Sequence, residues 1–229
     1  MKTETLPEGL SPKEAVQLQR ELAPQVRLCP LPSPRKGLRV AGVDCSYHKR
    51  ATTGYAAVVV CRWPELEVLD VGRAARAISF PYVPGLLSFR ELPLLQEAWE
   101  SLRLRPDLVV VDGQGLAHPR RFGLACHIGV AWNCPSLGCA KSLLVGDHKP
   151  LGERRGNRAA LTDRGERIGT ALRTRAGVKP VYVSPGHLCD FESGARWILR
   201  LSAKYRLPEV IRLAHSEVNR MRREGLTEG

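Results

Sequence analysis

Residues 107 to 115 read DLVVVDGQG. Four apolar residues in succession leave no polar face, so this run does not suit a strand with one side in water. It predicts a buried central strand, covered above and below. The rest of the chain supplies what such a strand needs. Ahead of it lie three β-rich stretches, LRVAGVDCSY (38 to 47), GYAAVVVCRW (54 to 63) and LEVLDVGRA (66 to 74). Their spacing and the short Pro64-Glu65 connection predict an antiparallel meander. Behind it, RFGLACHIGVAWN predicts a helix, followed by a short strand near Ser136 to Ala140. ALTD and ERIGTALRT predict a hairpin about Arg164-Gly165, and VKPVYVSPGH a further strand. Two helices are expected at about 190 to 204 and 208 to 223, the second opened by Pro208.

Ser11-Pro12-Lys13-Glu14 combines an N-cap, a proline at the first helical position and a capping-box acid, which predicts a helix to about Ala23. A mainly helical segment is expected over 86 to 104, bent or restarted near Pro93. Together these elements predict one α/β domain over residues 1–229, with a mixed central β-sheet flanked by helices on both faces.

Charge narrows the partners. Lys and Arg number 35 against 23 Asp and Glu, a net charge of +12, which favours a polyanion such as nucleic acid. Seven cysteines without a CxxC pair argue against a disulfide framework or a structural zinc site. The opening MKTETLPEGLSPKE lacks a basic segment followed by an apolar core, and no run approaches about 18 apolar residues. Neither a signal peptide nor a membrane span is expected, so a cytoplasmic location follows, and without a coiled-coil pattern a monomer.

Asp44 closes the apolar run VAGVD and Asp112 closes VVVD. Acids at strand ends often form turns, but two on adjacent strands would repel unless a proton or cation separated them. Hard oxygen donors of this kind favour Mg²⁺ or Mn²⁺. Glu91 ends Ser88-Phe89-Arg90-Glu91, which spells a capping box and so offers the acid a purely structural use. His215 shares a helical stripe with Arg212, Asn219 and Arg222, which suits either a solvated face or a phosphate-facing one.

Gly113 and Gly115 allow close approach of a ligand after the buried strand, whereas the dinucleotide and P-loop spellings are absent. Lys141, in GCAKS, suits a phosphate contact or a lone surface position. In FPYVPGLLSFRE (80 to 91), Pro81 and Pro84 hold Tyr82 on a stiff, non-helical projection. Residues 146 to 158, beginning GDHKPLGERRGN, predict a basic polar loop suited to backbone contact.

In order along the chain, VAGVDCSY, FPYVPGLLSFRE, PDLVVVDGQGLAHPRR, GCAKS, VSPGH and RLAH closely resemble endonuclease V, over roughly residues 10 to 224. The resemblance implies a ribonuclease H-like fold. It implies an enzyme that recognises deaminated purine, chiefly hypoxanthine in inosine. Such an enzyme hydrolyses the second phosphodiester bond on the 3′ side, leaving 3′-hydroxyl and 5′-phosphate ends.

Carried onto matching positions, the resemblance makes Asp44 and Asp112 the principal metal ligands and Glu91 the third acid. His215 then stands beside the metal centre, and Lys141 and His118 contact phosphate or support the metal shell. Mg²⁺ is the implied cofactor, with Mn²⁺ as substitute, and one or two ions are both compatible. Tyr82 resembles a wedge inserted where the lesion leaves the stack. Gly85, Leu87, Gly113, Leu124 and Gly138 match positions lining a pocket for the extruded base. The expected substrate is inosine-containing DNA, in DNA repair. Inosine-containing RNA is the alternative substrate, and a non-catalytic nucleic-acid binder using the same basic surface is the alternative of a different class.

Overall fold

The apolar run that ends at Asp112 lies at the centre of the sheet. The computed structural model describes residues 9–47 and 53–225; residues 1–8, part of the opening read above for a leader, lie outside the described residues. β4 (Leu108–Val111) is buried throughout and pairs in parallel with β1 (Arg39–Tyr47) on one side and β5 (Ser136–Ala140) on the other. Beyond β1 come β2 (Thr53–Arg62) and β3 (Glu67–Ala77), the expected antiparallel meander. Beyond β5 come β9 (Val181–Pro185), β8 (Glu166–Leu172), β7 (Arg158–Asp163) and β6 (Asp147–His148). Among the described residues, nine strands form one mixed sheet in the order β3-β2-β1-β4-β5-β9-β8-β7-β6.

Strand alternation explains why helices are needed on both sides. Val109 and Val111 join Ala41, Val43 and Val58 on one face, beneath α2 (Leu87–Glu100) and α3 (Leu124–Trp132). Leu108 and Val110 join Val40, Val59 and Leu137 on the other, beneath α4 (Phe191–Leu201) and α5 (Glu209–Glu224). α1 (Pro12–Leu22) begins with the capping box read from Ser11 and Glu14, and its Ala15 packs against Phe80, Leu86 and Phe89. Among the described residues, no helix is long and apolar enough to cross a membrane.

Three local expectations change. α2 runs through Pro93 and ends at Glu100, because Leu92, Leu94, Leu95 and Ala98 are all buried on the sheet and this burial offsets the hydrogen bond that proline removes. The Ser88 to Glu91 capping box does not form: both residues lie inside α2, whose N-cap is Leu86. Ser88 Oγ lies instead 3.0 Å from His127 Nδ1, which leaves the Glu91 carboxylate for other use. The loop over 146 to 158 contains β6 and is tied back at Arg155, which donates to the Leu199 carbonyl of α4.

One close approach sets where α5 lies. A Cβ built on Gly42, in β1, would fall 2.0 Å from the Val210 carbonyl oxygen, so helix and strand backbones are in direct contact there. Because that oxygen belongs to backbone, it cannot swing aside. Gly42→Ala should therefore lower unfolding stability by about 1–3 kcal/mol, measured by denaturant titration. An unchanged midpoint would show that α5 is free to lift from the sheet.

Candidate active site

The register of the central strands brings the two acids together. Val43 of β1 is the parallel partner of Val111 of β4, and Asp44 and Asp112 are the next residues along each strand. Adjacent parallel strands thus present both carboxylates at the same end of the sheet. Glu91, on the second turn of α2, accepts a hydrogen bond from the Tyr47 hydroxyl at 3.4 Å. Burial raises the Asp44 carboxyl above its ordinary range; its bond to His215 opposes the shift and the charge of Asp112 adds to it. Burial pushes Glu91 up to about 8, reinforced by Asp44, opposed by Tyr47 and reinforced again by Asp112. The three acids therefore lie close enough to repel one another.

Each carboxylate has taken a partner. His215 Nδ1 lies 2.7 Å from Asp44 Oδ2, and Asn219 Nδ2 lies 2.9 Å from His215 Nε2. The Asn219 amide nitrogen is a donor, so Nε2 accepts from it and Nδ1–H donates to Asp44. Lys141 Nζ pairs with Asp112 Oδ2 at 2.5 Å. Among the described residues, no group of three or more His, Cys, Asp or Glu side chains is gathered closely enough to hold a metal ion. Asp44, Glu91 and Asp112 are nonetheless neighbours, each turned to its own hydrogen-bond partner. The donor set itself suits a hard divalent cation, because it offers oxygen ligands and an excess of negative charge.

Beside Asp112 opens a cavity of about 340 Å³, within the roughly 300–1,000 Å³ range of small-ligand sites. Tyr82, Gly85, Leu87, Gly113, Leu124 and His118 line it, as does Lys141. Gly138 lies beneath the lining: a Cβ there would meet the Gly113 carbonyl and the Gly115 amide nitrogen, each at 2.7 Å. It thus supports the cavity floor and leaves the wall to others. Tyr82 is 68% exposed while Phe80, two residues earlier, is buried, so the proline-flanked segment is anchored at its base and free at its tip.

The far wall was not legible. Gln19 of α1 is completely buried and donates to the Phe122 carbonyl across 103 residues of sequence. Asn219 was visible as part of a polar stripe, four residues after His215, and that spacing was its signal. For Gln19 the sequence carries none. Leu143 and Leu144 are exposed on the cavity rim.

His118 holds the Gly85 turn. Its Nε2 lies 3.0 Å from the Gly85 carbonyl and its Nδ1 accepts from the Arg120 amide at 3.2 Å, which assigns the neutral Nε2–H tautomer. Gly85 has φ +79°, a conformation that side chains disfavour. Burial carries His118 down to about 4; Arg120 adds to the shift, the Gly85 bond opposes it and Arg121 adds further.

The comparisons decide the family. The endonuclease V family model matches residues 20–216. The chain belongs to the endonuclease V family. It is 54% identical to the endonuclease V of Myxococcus xanthus over 214 residues, covering 93% of this chain and 91% of that protein. The crystal structure of endonuclease V from Streptomyces avermitilis superposes with a TM-score of 0.91 at 42% identity, covering 98% of this chain and 99% of that one. The endonuclease V of Ciona intestinalis, solved with a 24-mer DNA containing an inosine followed by a ribo-adenosine, gives 0.78 at 25% identity, covering 93% and 98%. The sheet flanked by helices is accordingly the ribonuclease H-like fold of the endonuclease V structures.

His118 provides a check on the cavity. Its folded value lies below the unfolded value of about 6.5, so the unfolded chain binds more protons between them. The contribution of His118 to stability is complete above pH 6.5 and declines as pH falls toward 4. Ring-nitrogen NMR should therefore show a neutral Nε2–H imidazole at pH 7, with protonation only near pH 4. Titration near 6.5 would mean that the Gly85 turn is not held as described.

Proposed function

We propose that this endonuclease acts on inosine-containing DNA, accepting the hypoxanthine base in the 340 Å³ cavity and hydrolysing a phosphodiester bond at Asp44, Glu91 and Asp112. The observation that carries the reading is that Asp112 lines the base-sized cavity and also adjoins Asp44, so one nucleotide strand can reach both. The DNA held by the Ciona relative has the same lesion.

Asp44, Asp112 and Glu91 would hold Mg²⁺, with Mn²⁺ as substitute. Bound there, the cation would supply neutralisation of charge on the phosphate during hydrolysis. The chain's own residues do the rest. His215, held by Asn219, orients the Asp44 carboxylate through its Nδ1–H. Lys141 brings an exposed ammonium beside Asp112, where it can move from the carboxylate to a phosphate oxygen. In the reaction a water oxygen bonds to phosphorus, the bond from phosphorus to the 3′-oxygen breaks, and that oxygen takes the proton. The ends are a 5′-phosphate and a 3′-hydroxyl, and the cut falls at the second bond 3′ to the lesion.

Extruding the base costs a few kcal/mol, less for a poorly paired inosine, and Tyr82, which is exposed, would fill the gap left in the stack. Its proline-bounded backbone loses little freedom on insertion. A second reading, cleavage of inosine-containing RNA, draws on the ribo-adenosine that follows inosine in the Ciona complex.

Matched deoxyinosine and inosine oligonucleotides, incubated with Mg²⁺, Mn²⁺ or EDTA and mapped for cut position, separate these readings. Cleavage of both strands in EDTA would remove the metal from the mechanism. Asp112→Asn should abolish turnover while keeping or tightening binding, since one charge facing the phosphate disappears; Mg²⁺-dependent turnover at the wild-type rate would refute the role. Tyr82→Ala should weaken binding to inosine-containing strands by about 1–3 kcal/mol and to plain strands much less. Equal losses on both would argue against insertion.

A further inference from the structure

On the opposite side of the cavity wall from the lesion pocket lies a second depression, an open groove of about 570 Å³. Four arginines line it, Arg20, Arg120, Arg121 and Arg164, with Glu166 as the acid. Arg121 is committed: it pairs with Asp163 and Glu166 and so pins the tip of the β7–β8 hairpin against the loop before α3. That contact fixes Arg164, which occupies the hairpin turn with its side chain exposed.

Arg120 directs its guanidinium to neutral groups, the Gln19 side-chain oxygen and the Gly85 carbonyl, and among the described residues no carboxylate pairs with it. Arg20 is exposed at the end of α1, and burial together with the charge of Arg20 lowers the basicity of Arg120. Cations held together without a matching acid form a site for an anion.

The position of the groove gives the anion its identity. Gln19 and Gly85 line the base cavity, and both bond Arg120, which lines the groove. The cavity therefore adjoins the carboxylates at Asp112 and the arginine groove at the Gln19–Arg120 wall. A strand whose cut phosphate lies at the carboxylates, 3′ of the extruded base, leaves the cavity on the other side in the 5′ direction.

We infer that the groove binds backbone phosphates of the nucleic-acid strand on the 5′ side of the extruded base, through Arg20, Arg120 and Arg164. This rests on the substrate reading above. The groove supplies affinity and register without reading sequence, because phosphate contacts carry no base information. Arg20 and Arg164 belong neither to the acids nor to the cavity lining, so cleavage at saturating substrate does not depend on them.

The test uses the full chain in EDTA, with inosine-containing single strands of constant 3′ flank and either a short or a long 5′ flank. Wild type should bind the long 5′ flank at least about tenfold more tightly, and the dependence of log Kd on log salt should be steeper for it. Arg20→Glu/Arg164→Glu should lose that preference, and the neutral pair Arg20→Gln/Arg164→Gln should lower the salt slope by about 1.4, because two phosphates are no longer neutralised. Both should melt near wild type and cleave at the wild-type rate with Mg²⁺ at saturation.

Unchanged flank preference and salt slope in both variants would overturn the inference, as would a wild type indifferent to its 5′ flank. Loss of affinity that follows the 3′ flank equally would do so too. If wild type bound inosine-containing and plain strands alike, the substrate reading would fail. The groove would then be judged by the salt slope on plain strands.

Discussion

The parallel pairing of β1 with β4 is the constraint on which the rest of the structure depends. Both strands are apolar and buried, and the register set by Val43 and Val111 leaves no freedom in where the next residues fall. Those residues are Asp44 and Asp112. At the edge of a low-dielectric core, burial raises the Asp44 carboxyl, the His215 bond opposes that rise and the charge of Asp112 adds to it. The hydrophobic energy of a nine-stranded sheet sustains that cost, which the acids could not sustain on a flexible loop.

Everything near the acids answers to this concentration of negative charge. Contact between α5 and Gly42 fixes the helix that delivers His215 to Asp44, and Asn219 one turn later fixes the ring. Lys141 follows β5, the other parallel neighbour of β4, and so reaches Asp112. Glu91 arrives from the helix layer above, where Tyr47 holds it within reach of the other two. Donors on both faces and along the sheet end surround the acids, and a divalent cation would replace several of them at once.

The cavity is built by a different means. Its floor is backbone, Gly113 and the segment supported by Gly138, and its wall is a polar network in which Gln19, His118 and Arg120 converge on one carbonyl, that of Gly85. Convergent hydrogen bonds on a turn in a disfavoured conformation hold it in one shape. Opposite this rigid wall, Tyr82 is exposed on a segment anchored by buried Phe80. A shaped recess beside one free aromatic ring suits a base removed from its stack, and the arginines outside the wall suit the strand it came from.

Much of this was legible in the residues alone. The unbroken apolar run of β4 demanded cover on both faces, the meander followed from spacing and turn residues, and Ser11 and Glu14 announced α1, because these signals are local. Tyr82 between its prolines could be read as displayed for the same reason. The capping box at Ser88 failed because the helix begins earlier, with Leu86 as N-cap, which leaves the Ser88 hydroxyl to His127 of another helix. Gln19, bonded to Phe122 across 103 residues, left no trace in sequence, and neither did the arginine groove, whose members come from α1, the loop before α3 and the β7–β8 turn. Pattern and propensity act over a few residues, so the sequence determined the elements and which acids end the buried strands. Only the register and helix docking of the folded chain decided that those acids adjoin, which donor each takes, and where the cavity and its charged flank lie.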